Sequence, residues 1–344
     1  MSVKLFDYHL PPELIAQASV EPRDQSRLLV LEKQSGKREH KLFFEIIDEL
    51  KAGDVLVMNM TKVFKARLRG HVGEKEVEVF LLREIKREKV GRVKGSEWKV
   101  LLKPGRLVSV GSKIQIGEMK AEVLEKTDTV RIKIDADLDQ VLAYADQHGE
   151  IPVPPYVKQV PDQLEKYQTV YAEQIGSVAA PTAGFHFTKE LLSKIREKGV
   201  QIEFVTLHVG IGTFRPMKTE TIEEHEMHAE FVRVDGEVAR RINQAKEEGR
   251  RIIAVGTTSV RTLEGVADDE GRLREFAGDV NLFIKPGYEF KIVDALITNF
   301  HLPKSTLLVL VSALAGRENI MAAYEEAVAK KYRFYSFGDA MLIK

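Results

Sequence analysis

From Val178 onward the chain alternates helical and strand-like segments, and this order restricts the fold more than any other feature. Thr188 caps an amphipathic run, Lys189–Lys198, which stops at Gly199 and is followed by the buried strand VQIEFVTL. Glu237–Glu248 repeats the plan, ending at Gly249 before the strand Arg251–Val255, and a helix over about Ser259–Val266 follows. The strand ALIT and the apolar helix from Ser305 read as a third unit. Helices that feed strands in this way predict an α/β fold: a mostly parallel sheet with helices on both faces.

Residues 66–149 follow a different plan. EKEVEVFLL, WKVLL, KIQI, AEVLE and VRIKI are short strand candidates, punctuated by glycines and by Pro104-Gly105. Short strands at this spacing predict a small antiparallel β-barrel. The segment before it carries an amphipathic helix (Leu42–Leu50), a Gly53-Asp54 turn and the strand VLVMN, which belong with the α/β part. The expected division is therefore an α/β catalytic domain from residues 1–65 and 150–344, with residues 66–149 inserted as a barrel domain. Ile151-Pro-Val-Pro-Pro155 is the stiff return link.

Composition narrows the chemistry. The 344 residues contain no cysteine, which excludes disulfides, thiolate catalysis, iron–sulfur clusters and Cys-based zinc sites. Lys+Arg and Asp+Glu are both 52, so contact with nucleic acid needs a local patch rather than global charge. Arg83–Arg106, with nine Lys/Arg against three Glu, and Trp98 within it, is the candidate patch, although a solvated basic face fits the same residues. The N-terminus lacks the unbroken apolar run of a signal peptide, and Leu307–Ala315 is far short of a membrane span. The expected location is the cytoplasm, without membrane attachment, and a monomer is the expected state.

Polar residues collect after each α/β strand. IEFVTL is followed by His208-Val-Gly-Ile-Gly212-Thr213-Phe-Arg215, RIIAV by Gly256-Thr257-Thr258-Ser259-Val-Arg261, and ALIT by Asn299-Phe-His301-Leu-Pro-Lys304-Ser305. Ligands of open α/β sheets sit outside the carboxyl ends of the strands, so convergence of these loops predicts a site. His186, His208, His225, His228 and His301 fall within or beside them. Gly256–Ser259 serves equally as an ordinary helix cap or as an anion cradle of free N–H groups and hydroxyls. Arg261 fits an anion clamp or a partner for Glu264. Gly210-x-Gly212 lacks the third glycine of a dinucleotide fingerprint, which excludes a nicotinamide cofactor. His225 and His228 are three apart rather than four, and a metal is not expected there. The small, Pro/Gly-interrupted run around Pro181, Thr182, Gly184 and His186 suits close approach to a flat ligand. Arg333 and Asp339, among aromatics, read as a core ion pair or as part of a base-stacking wall.

The stretches VAAPTAGFHFT, HVGIGTFRP, EHEMHAE, VGTTSVRTLE, NFHLPKSTLL and YRFYSFGDAMLI are long and specific. Together with DYHLPPELIAQ, RDQSRLLVL, GDVLVMN and YQTVYA they resemble the S-adenosylmethionine:tRNA ribosyltransferase-isomerase family of bacterial queuosine biosynthesis, over nearly the whole chain except the barrel segment. The resemblance implies an α/β domain with a six-stranded barrel. It also implies two substrates, S-adenosylmethionine and a tRNA carrying 7-aminomethyl-7-deazaguanine, with epoxyqueuosine-tRNA, adenine and methionine as products. S-adenosylmethionine is then a consumed substrate, and no further cofactor is expected, because the sulfonium acidifies the adjacent methylene and makes methionine a good leaving group. On this reading the five histidines are acid–base candidates. Arg215 and Arg261 clamp a carboxylate or phosphate, and Thr257, Thr258 and Ser305 bind small-substrate oxygens. Pro181, Thr182, Gly184, Gly212, Thr213, Lys304, Arg333 and Asp339 complete the expected binding set. Met60, Lys62 and Lys65 depart from the acid, arginine and proline usual in the family. A methyltransferase would show a Gly-rich first loop and a ribose-binding acid, neither of which is evident. An RNA-binding module gives no reason for clustered His, Arg and Thr.

Overall fold

A computed structural model describes residues 1–85, 95–210 and 216–344. In chain order its strands are β1 (Arg27–Leu31), β2 (Arg38–Leu42), β3 (Val55–Asn59), β4 (Thr61–Val63), β5 (Arg67–Val72), β6 (Lys75–Glu84), β7 (Ser96–Lys103), β8 (Lys113–Ile116) and β9 (Met119–Lys126). They continue as β10 (Val130–Ile134), β11 (Gln174–Ser177), β12 (Gln201–His208), β13 (Glu230–Val234), β14 (Ile252–Val255), β15 (Phe276–Val280), β16 (Ala295–Asn299) and β17 (Ala340–Ile343). The helices are α1 (Ile46–Glu49), α2 (Leu138–His148), α3 (Lys189–Glu197), α4 (Gly236–Glu247), α5 (Thr257–Val266), α6 (Thr306–Ala315) and α7 (Arg317–Ala329).

The main sheet runs β15-β13-β12-β3-β14-β16-β17-β1-β2. Its central neighbours β12, β3, β14 and β16 are parallel, as the helix–strand alternation requires, and β17 is parallel to β1. The pairs β15/β13, β13/β12, β16/β17 and β1/β2 are antiparallel. The sheet is therefore mixed, not mostly parallel. Two features cause the difference: β1 and β2 form a hairpin, and the chain passes through two helices, α6 and α7, after β16, so that β17 returns beside it in the opposite direction.

Strand alternation places the two faces on separate cores. Leu29, Leu31, Val55, Val57, Ala254 and Leu296 pack with α4–α7 on one face. Leu28, Val30, Leu56, Met58, Val255 and Ile297 pack with α3 and the segment around α1 on the other. Helices thus cover both faces. Thr188 accepts the Leu191 N–H to start α3, and Ser305 accepts the Leu308 N–H to start α6. The predicted helix at Leu42–Leu50 is shorter, a single turn preceded by a 3-10 turn.

The six strands β5–β10 close into an antiparallel barrel, in the order β10-β7-β6-β5-β8-β9. Alternate residues such as Val77 and Val79 fill its interior. Trp98 is only 2% exposed inside this core and donates to Ser96 Oγ at 2.8 Å. It is chiefly a residue of the barrel core. Among the described residues no single helix is long and apolar enough to cross a membrane.

Candidate functional site

The ends of β12, β14 and β16 finish beside one another and share a small cavity with the segment before α3. Its lining comes from Ala180–Ala183, from Val209, from Gly256–Thr258 and from Thr298–His301, with Tyr156, Tyr335 and Ser336 across the opening. The cavity volume is about 60 Å³, against roughly 10–15 Å³ for one water on the same measure. Gly256, at φ +87°, makes the turn that starts α5 without a side-chain cap. The N–H groups of Thr257 and Thr258 consequently have no acceptor within the helix. Ser259 and Thr262 turn their hydroxyls back to the carbonyls of Val255 and Thr258. Thr258 Oγ1 is buried and unpartnered. The start of α5 thus lacks a side-chain cap, and the Thr258 hydroxyl beside it has no partner.

The five histidines separate. His186 lies in the interior, stacked on Phe43, with Nδ1 2.6 Å from Ser26 Oγ and Nε2 3.2 Å from Asn299 Nδ2. Asn299 must turn its amide nitrogen this way, because the same nitrogen donates to the Tyr335 carbonyl at 3.1 Å. His186 Nε2 is therefore an acceptor, and Nδ1–H donates to Ser26. Burial, with smaller contributions from Arg333 and Arg23, pushes its pKa down to about 3. Both ring nitrogens are occupied and the ring is neutral, so His186 positions Asn299, whose Oδ1 accepts from Thr182 at 3.2 Å. His301 lines the cavity, equally buried and held down to about 3 by desolvation.

His208 faces elsewhere, with Nδ1 2.8 Å from Thr61 Oγ1 and its ring stacked on Phe231. It lines a cleft of about 570 Å³ between the barrel (Phe64, Trp98) and the sheet edge (Thr206, Phe231, Phe276). Gly176 clears space for it, since a Cβ there would stand 2.6 Å from His208 Nε2. Cavity and cleft are close neighbours, because consecutive residues, His208 and Val209, line one each. A bidentate ion pair between Arg83 and Asp279 joins barrel to sheet at this cleft. His225 and His228 precede β13 and line neither space. His225 packs on the edge of Phe283, and burial and then His228 lower its pKa. Among the described residues no group of three or more His, Asp or Glu is placed to hold a metal ion.

Other expected binding residues have structural partners. Arg261 is buried against Glu230, not Glu264. Glu264 instead accepts the N–H groups of Lys291, Ile292 and Val293. Ser305 uses its hydroxyl to cap α6 and to donate to the Leu302 carbonyl. Lys304 pairs with Asp7 at 2.8 Å. Gly184 admits Tyr171, whose hydroxyl would lie 2.0 Å from an added Cβ, so its openness serves packing rather than a ligand. Asp339 accepts the N–H groups of Arg27 and Arg333 and lies 3.5 Å from the Arg333 guanidinium, which gives the ion pair that the sequence offered as one of two readings. Pro181, Thr182, Thr257 and Thr258 do line the cavity. Gly212, Thr213 and Arg215 lie outside the described residues, as do residues 86–94 of the basic stretch.

Sequence reasoning passed over Thr298 and Tyr324. Thr298 stands next to last in β16, beside a named loop, a signal open to reading. Tyr324 sits in the middle of α7, where nothing in the local pattern marks it.

A profile of the family described as "Queuosine biosynthesis protein" matches residues 3–343. The crystal structure of S-adenosylmethionine tRNA ribosyltransferase from Thermotoga maritima is similar to this chain at 42% identity, over 99% of this chain and 100% of that one, with a TM-score of 0.58. A match of this extent establishes that the chain belongs to the queuosine biosynthesis protein family.

Proposed function

We infer that this protein is an S-adenosylmethionine:tRNA ribosyltransferase-isomerase. It transfers the ribosyl part of S-adenosylmethionine onto 7-aminomethyl-7-deazaguanine in tRNA and releases adenine and methionine. The observation that carries the reading on this chain is the small, donor-lined cavity at the strand ends. It suits the carboxylate of the methionyl end: the start of α5 offers free N–H groups and positive helix-dipole potential, with the Thr258 hydroxyl beside them.

The neighbouring cleft is the larger space, and its aromatic walls suit a nucleobase and ribose. His208 is the acid–base group we assign there. The barrel of residues 66–149 is read as an inserted domain that offers Lys99, Lys103 and Arg106 to the tRNA backbone, and residues 1–65 and 150–344 as the catalytic body. S-adenosylmethionine is consumed, no separate cofactor is invoked, and the protein acts in the cytoplasm as a monomer.

Incubation with labelled S-adenosylmethionine and tRNA bearing the modified base tests the assignment. Adenine and methionine in equal amounts, with label on the tRNA, are expected. A homocysteine-bearing coproduct would make it a methyltransferase, and absence of any product would make it a binding module.

A further inference from the structure

The proton positions around His301 follow from counting donors. Tyr324 holds its hydroxyl between two atoms of His301: it accepts the backbone N–H at 3.0 Å and lies 3.1 Å from Nδ1. The backbone N–H can only donate, so it occupies a lone pair of Tyr324 Oη. Among the described residues no other acceptor meets the tyrosine proton, which leaves Nδ1 to receive it. Nδ1 is then unprotonated, and the neutral ring carries its proton on Nε2. Nε2 lies 3.1 Å from Thr298 Oγ1, so Nε2–H donates there. The Thr298 hydroxyl proton is left to point into the cavity that both residues line. Tyr8 fixes the same residue from the other side, donating to the His301 carbonyl at 2.5 Å.

We propose that His301 is not a proton acceptor but the middle of a directed relay. Tyr324 Oη–H donates to Nδ1, Nε2–H donates to Thr298 Oγ1, and Thr298 is thereby presented as a donor to a carboxylate in the small cavity. The burial that keeps the ring neutral keeps one proton on it and so preserves the direction of the relay. The same cavity is lined by Thr258, whose hydroxyl is unpartnered, and by the first residues of α5. Each of these groups can donate, and a carboxylate accepts at up to about four lone-pair sites. At about 60 Å³ the cavity is sized for a small group such as a carboxylate. Tyr324 is a positioning residue and Thr298 a binding residue. That the carboxylate is the methionyl one rests on the function proposed above.

Two measurements decide this. In full-length protein labelled on histidine nitrogen, two-bond proton–nitrogen correlations report the tautomer of each ring, and His301 is assigned by the signal lost in His301→Gln. An unprotonated Nδ1 and a protonated Nε2 at neutral pH are expected, and a proton on Nδ1 or an imidazolium overturns the relay. In steady-state assays Thr298→Val, which keeps the shape and removes the hydroxyl, raises KM for S-adenosylmethionine about tenfold while kcat falls far less. Thr298→Ser restores KM, and decarboxylated S-adenosylmethionine does not sense the valine. An unchanged KM in folded Thr298→Val also overturns the proposal. The tautomer is read without substrate, so it judges the relay even if the unmodified enzyme releases no adenine, a result that would strike the proposed reaction instead.

Discussion

Two imidazoles at the heart of the molecule are held neutral by burial. His186 and His301 are held at about 3, against 6.5 for a free imidazole. Below 6.5 the unfolded chain binds a proton at each ring that the folded chain refuses. Stability is therefore complete above that value and falls as pH drops through the window from 6.5 to 3, by up to about 1.4 kcal/mol per pH unit for each ring. Urea unfolding at neutral and mildly acid pH should show this loss, and His186→Gln should remove about half of it, leaving the contribution of His301. An unchanged slope would mean that His186 is not buried as described. The same burial decides function. His186→Ala should lower both activity and stability, because it removes the support of Asn299, whereas His208→Ala should abolish turnover with the fold intact. The five histidines were legible as a cluster in the sequence. Their separation into interior, cavity, cleft and surface was not, because side-chain direction depends on partners as distant as Ser26 and Tyr324.

At the scale of elements, α5 carries two charges of opposite meaning. Its start is left open for a ligand, while Arg261, one turn on, is closed off by Glu230 with both side chains about 5% exposed. Removing one member of such a pair leaves a buried charge without compensation. Glu230→Ala should therefore cost about 3–5 kcal/mol in chemical denaturation. The Arg83–Asp279 pair between barrel and sheet is far more exposed, at 35% and 46%. Asp279→Asn should cost less than about 1 kcal/mol, and a larger loss would show that the pair does more than bridge a solvated cleft. Helix starts and strand faces were readable, because caps such as Thr188 and the two-residue alternation are local. The mixed character of the sheet was not. Nothing near Ala340–Ile343 tells that β17 will insert between β1 and β16, a partner choice made across the length of the chain.

For the molecule as a whole, function depends on two spaces held on either side of one strand end. The small cavity joins a largely apolar lining to a few hydroxyl and N–H donors and suits a small group such as a carboxylate. The large cleft has His208, aromatic walls and the barrel as its far side. The polar loops after β14 and β16 made the first space legible, whereas the second arises only when the barrel docks beside β13 and β15. The most direct test is a crystal structure with an unreactive sulfonium analogue of S-adenosylmethionine. The carboxylate should lie between the first residues of α5 and Thr298, with the ribose directed toward His208. A carboxylate found in the barrel–sheet cleft, with the small cavity holding only water, would contradict the account.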